Sequence, residues 1–111
     1  MVTLPAAAGR PGAGYFQLEA NRAARLVSVT SPSARRIELH ETGMRPAASF
    51  ALTPEEPLHF SPGGRHAMLF DLDPALRPGA KVTLTFTFEG GPPPVTAEAE
   101  VRGPGDVPAH H

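Results

Sequence analysis

The chain has 111 residues, 41% of them hydrophobic, which suits one folded domain with its own core and speaks against a disordered chain. Ten basic and eleven acidic residues leave a formal net charge of −1, so the chain carries no electrostatic footprint for nucleic acid or for an anionic membrane. The absence of cysteine excludes disulfides, iron–sulfur ligation, thiolate catalysis and cysteine-held zinc.

No apolar run is long enough to span a bilayer, and MVTLPAAAGRPGAG lacks the charged start and continuous apolar stretch of a secretory signal. An exported form is therefore expected to have had its signal removed. With 14 Pro and 11 Gly, turns are frequent and helix is a minor component. Val2-Thr3-Leu4 suits a short edge strand ahead of the Gly9-Arg10-Pro11-Gly12 turn. Tyr15-Phe16-Gln17-Leu18 and then Ala24 to Val29 read as two strands parted at Asn21-Arg22.

After the Ser31-Pro32-Ser33 turn, Ile37-Glu38-Leu39-His40 alternates apolar and polar, so His40 faces away from Leu39 at the end of a strand. Gly43, Met44 and Pro46 predict an irregular connection, a common carrier of mobile ligands. The segment SFALT forms a short strand before Pro54-Glu55-Glu56-Pro57, whose two glutamates read as solvated turn residues. Leu58-His59-Phe60 alternates again and points His59 to solvent.

The Pro62-Gly63-Gly64 turn leads into a strand that puts His66 and Met68 on one face and Ala67 and Leu69 on the other. DLDPALRPG has an Asp cap, an early Pro and a Gly stop, and leaves room for one turn of helix. The clearest strand is Lys81 to Phe88, where Val82, Leu84, Phe86 and Phe88 alternate with Lys and Thr. Val95 to Val101 supplies another. About seven to eight short, mostly antiparallel strands joined by Gly/Pro turns predict an all-β sandwich or barrel.

Residues 40 to 68 hold the distinctive chemistry. His40 and Met44 open the stretch, and His66-Ala67-Met68 closes it. Imidazole nitrogen with thioether sulfur is a borderline-to-soft donor set that suits copper(I) and not the oxygen-seeking Ca or Mg; zinc rarely takes Met. His40, Met44, His66 and Met68 are accordingly the candidate metal ligands. With 5 His and 3 Met in the chain, a His-x-Met arises by chance roughly once in seven such sequences, so the tripeptide alone is weak. Taken singly, Met68 has ordinary core packing, and His66 a hydrogen-bonded structural role, as the lesser alternative to a ligand role.

A larger set of residues makes the chain similar to a known family. Tyr15-Phe16-Gln17-Leu18 leading to Asn21, Ile37-Glu38-Leu39-His40-Glu41-Thr42, Met44-Arg45, Ser61-Pro62-Gly63-Gly64, His66-Ala67-Met68-Leu69, Leu76-Arg77-Pro78-Gly79 and the Val82 to Phe88 strand resemble the periplasmic PCu(A)C-type copper chaperones. The similarity runs over roughly residues 2 to 102. It implies a cupredoxin-like Greek-key β-sandwich or barrel over residues 1–105, and residues 106–111 read separately as a disordered tail. The family's ligand order is His, Met, 21 intervening residues, then His-x-Met, and residues 45 to 65 supply those 21. The chain departs from the pattern in having only residues 41 to 43 between His40 and Met44, and no second Met after Met44-Arg45-Pro46.

By that resemblance the protein is expected to be a monomeric, non-enzymatic carrier of copper(I) in the cell envelope. It would deliver the ion to the dinuclear copper site of oxidase subunit II or to another copper chaperone. His110 and His111 read first as part of that disordered end, with nitrogen donors for copper(II) at a secondary site as the second reading. Two other readings are a metal-free β-sandwich, in which His66 and Met68 simply pack, and a copper-dependent redox enzyme. No general base, nucleophile or oxyanion donor set supports the enzyme.

Overall fold

The structure, a computed structural model, describes residues 1–7, 9–43 and 45–104. Met44 and the tail that includes His110 and His111 lie outside the described residues. Among the described residues there are eleven strands and no helix: β1 (Val2–Thr3), β2 (Gly12–Gly14), β3 (Phe16–Leu18), β4 (Ala24–Thr30), β5 (Ala34–Glu41), β6 (Arg45–Pro46), β7 (Phe50–Leu52), β8 (Leu58–Phe60), β9 (His66–Leu72), β10 (Lys81–Glu89) and β11 (Val95–Arg102). The count exceeds seven or eight because six of these strands are pieces of two or three residues.

Nine strands form one sheet in the order β6-β5-β9-β2-β1-β11-β10-β4-β7, and β3 pairs with β8 alone. Only the β1–β11 pairing is parallel among the registers of the named strands. β4 and β5 stand second from either end of the large sheet, yet they pack against each other, so the sheet curls onto itself. The fold is all-β, as the alternating segments predict.

Alternation along the long strands decides which side chains fill the interior. Val82, Leu84 and Phe86 of β10 are buried, and Ala67 and Leu69 of β9 join them with Leu26, Leu39 and Val101. Phe60 of β8 stacks on Phe16 of β3 at 4.4 Å, and Phe86 and Phe50 meet this pair edge-on at 4.9 and 5.1 Å. Such aromatic pairs contribute about 0.5–1.5 kcal/mol each beyond their buried area. They tie the small β3–β8 sheet to β10 and β7 of the large one.

The turn of helix for which DLDPALRPG leaves room does not form. Ala75 N–H donates to Asp73 Oδ1 and Leu76 N–H to the Asp73 carbonyl, which makes a capped turn. Pro78 lacks an N–H and Gly79 follows at φ +93°, so the chain leaves the turn before a helical ladder can start.

Candidate metal centre

β5 and β9 pair antiparallel with Arg36 opposite Phe70, Glu38 opposite Met68 and His40 opposite His66. Side chains two apart on a strand share a face, so Glu38, His40, His66 and Met68 form two adjacent cross-strand pairs on one face. Three of the four expected ligands are thereby brought together by register alone. Met44 is outside the described residues, although its neighbours Glu41 and Arg45 pair as the chain passes from β5 to β6.

His66 is delivered by the turn before it. Gly64 N–H donates to the Ser61 carbonyl at 3.0 Å, and Ser61 N–H to the Arg65 carbonyl at 2.9 Å. Pro62 stands at the second position and Gly63 at the third with φ +81°, the combination of a type II turn. The turn sets the Gly64 carbonyl 3.0 Å from His66 Nδ1. A carbonyl only accepts, so Nδ1 donates and Nε2 is the lone-pair nitrogen of the neutral ring.

His40 is held differently. It is 6% exposed, its ring meets that of His66 edge-on at 5.2 Å, and its Nε2 lies 3.1 Å from Glu38 Oε1. Its Nδ1 is buried and has no hydrogen-bond partner among the described residues. Orphaned buried polar atoms are rare in folded proteins and call for an explanation. Met68 stands between Glu38 and Ala13 of β2, and a recess lined by Ala13, Tyr15, Gly43, Gly63, Gly64, His66 and Met68 opens beside it. Arg65 donates to Glu41 at 2.9 Å and its guanidinium lies 5.5 Å from the Phe50 ring centre, which ties the turn to the core.

The LpqE-like family model, described as that of a lipoprotein, matches residues 1–101. The chain belongs to the LpqE-like family. No curated protein matches it. Among solved structures it is similar to the copper-bound PCuAC domain from PmoF2, with 26% identity and a TM-score of 0.78 over 93% of this chain and 87% of that one. The apo PmoF2 PCuAC domain gives 25% identity and a TM-score of 0.80 over 97% and 89%. The solution structure of CuI-DR1885 from Deinococcus radiodurans gives 24% identity and 0.76 over 91% and 73%. The fold of this LpqE-like chain is thus the cupredoxin-like PCuAC type.

Among the described residues of the LpqE-like chain, no three His, Asp or Glu side chains gather to hold a metal ion. The Met68 thioether beside the two imidazoles is a donor set that would fit a soft monovalent ion. His59 is exposed on β8, away from this group, and Glu55 and Glu56 are exposed in their turn, as alternation and the flanking prolines predict. The residues that sequence reading did not single out are Glu38 and Arg36. Their signal was the same period-two spacing that placed His40, since Arg36, Glu38 and His40 fall on one face.

Proposed function

We propose that this LpqE-like chain is a copper(I) carrier with no catalytic step, holding the ion through His40, His66 and Met68 with Met44 as the fourth donor. The observation that carries the reading is the orphaned Nδ1 of buried His40, directly across the strand pair from His66 and on the face that also presents Met68. A bound cation would satisfy that lone pair. Neutral imidazoles and thioethers need no deprotonation, so copper(I) would add a single charge to the site.

The likeness to the copper-bound PmoF2 domain supports the same reading. His66 and Met68 are half-buried, which lets an incoming ligand replace one weak thioether at a time. Such stepwise exchange suits delivery to another protein, and the resemblance in sequence makes a copper centre of a respiratory oxidase, in subunit II, the recipient we propose. The family's lipoprotein description supports an extracytoplasmic location.

An anaerobic copper(I) titration against a competing chromophoric chelator tests the proposal on the wild type and on Met68→Leu, both carrying His110→Ala and His111→Ala. Leu nearly conserves volume, so the fold should persist. Even residues one shell removed from a metal are worth about 10–100-fold in affinity, so losing the sulfur should weaken one-to-one binding by at least about tenfold. Equal binding by both proteins would mean that Met68 is only a packing residue, and no binding by the wild type would end the carrier reading.

A further inference from the structure

Arg36, Glu38 and His40 alternate along β5, opposite Phe70, Met68 and His66 of β9, and their polar atoms form a continuous chain. The Arg36 guanidinium lies 4.3 Å over the Phe70 ring, and its Nη2 is 3.0 Å from Glu38 Oε2. The other carboxylate oxygen, Oε1, is 3.1 Å from His40 Nε2. Both oxygens of Glu38 are thereby used, one by a guanidinium seated on an aromatic face and one by the imidazole.

We propose that Glu38 is a positioning residue for copper(I) binding: it holds the proton of His40 on Nε2 and so keeps Nδ1 bare as the ligand atom. The inference rests on the carrier reading above and assigns a role to a residue outside its ligand set. A carboxylate can only accept, so Nε2 must donate in this contact and the neutral ring must leave Nδ1 unprotonated. That nitrogen is the one the fold buries without a partner among the described residues. A histidine whose second nitrogen donates to a carboxylate is both fixed in orientation and made a more basic ligand. Arg36 and Phe70 keep the carboxylate from swinging away, although its side chain is 37% exposed.

The test uses two readouts on the full chain, with Glu38→Ala and Glu38→Gln beside the wild type. Long-range proton–nitrogen NMR correlations of the metal-free protein at pH 8 report the His40 tautomer, and chelator competition reports copper(I) affinity. The wild type should show His40 protonated on Nε2. Glu38→Ala should populate both tautomers and lose about 10–100-fold in affinity, as partners of metal-bound histidines do. Glu38→Gln, which keeps an acceptor oxygen, should hold the Nε2–H tautomer and most of the affinity.

Protonation of wild-type His40 on Nδ1, or unchanged affinity in Glu38→Ala, would overturn the proposal. So would a Gln variant as weak as the Ala variant, because the carboxylate would then be a direct ligand. A wild type that binds no copper(I) would end the carrier reading and the ligand role of Nδ1 with it. A His40 tautomer that still answered to Glu38 would identify that result as a failure of the carrier reading and not of the Glu38 contact.

Discussion

His40 carries two opposed contributions in a single ring. Its buried, unpartnered Nδ1 costs about 1–3 kcal/mol, while the Nε2 hydrogen bond to the Glu38 carboxylate returns about 1.5–3 kcal/mol before solvent screening reduces it. The two nearly cancel, so the residue adds little to metal-free stability. His40→Leu should therefore shift the urea unfolding free energy of the metal-free protein by less than about 1 kcal/mol. Copper(I) at a hundredfold excess over its Kd should stabilise the wild type by about 2.7 kcal/mol, and this gain should vanish in the variant. Thermal unfolding with and without copper(I) reads the second effect. A loss of several kcal/mol in the metal-free variant would instead make His40 a satisfied structural residue.

At the scale of elements, the 61–65 turn and the β5–β9 register do most to build the candidate site. Gly63 holds φ +81°, and a side chain placed there meets no neighbour within 4 Å, so its substitution isolates the backbone effect. Gly63→Ala should cost about 1–2 kcal/mol from the left-handed conformation alone, with Gly63→Asn costing less, as urea midpoints would register. The long strands were legible because the apolar period was long enough to count: Val82, Leu84 and Phe86 are buried as alternation predicts, and Ala67 and Leu69 face inward while His66 and Met68 do not. β2 was not legible, because Gly12-Ala13-Gly14 has no alternating side chains to read. A Cβ on Gly12 would stand 2.5 Å from Leu72 Cδ1 and 2.9 Å from the Thr3 carbonyl, so the segment is selected for close approach. The contact between Glu38 and His40 was only half legible. Spacing put both on one face, but the arginine that steadies the carboxylate is seated by Phe70, which lies across a register that no local pattern reveals.

Across the whole molecule, β1 is a keystone of two residues. It pairs with β2 on one side and with β11 on the other, and so joins the β6-β5-β9-β2 half of the sheet to the β11-β10-β4-β7 half. Val2 is fully buried opposite Val101 and Gly14, and Leu4 N–H extends the join to the Arg102 carbonyl at 3.0 Å. Val2→Ala removes two buried carbon groups at about 0.8 kcal/mol each and leaves a cavity, a loss of about 2 kcal/mol in all. Domains of this size have about 5–15 kcal/mol in hand, so the variant should remain folded with a lower urea midpoint. Its copper(I) affinity decides how far the site depends on closure of the sheet. β2 transmits any disturbance to Ala13, which pairs with Met68, but β5 and β9 hold His40 and His66 through their own ladder on the far side of β2. Because that ladder does not pass through β1, the affinity should match the wild type within error. A parallel fall in stability and affinity would instead mean that the proposed metal face is held by the closed sheet as a unit and not by the β5–β9 pair.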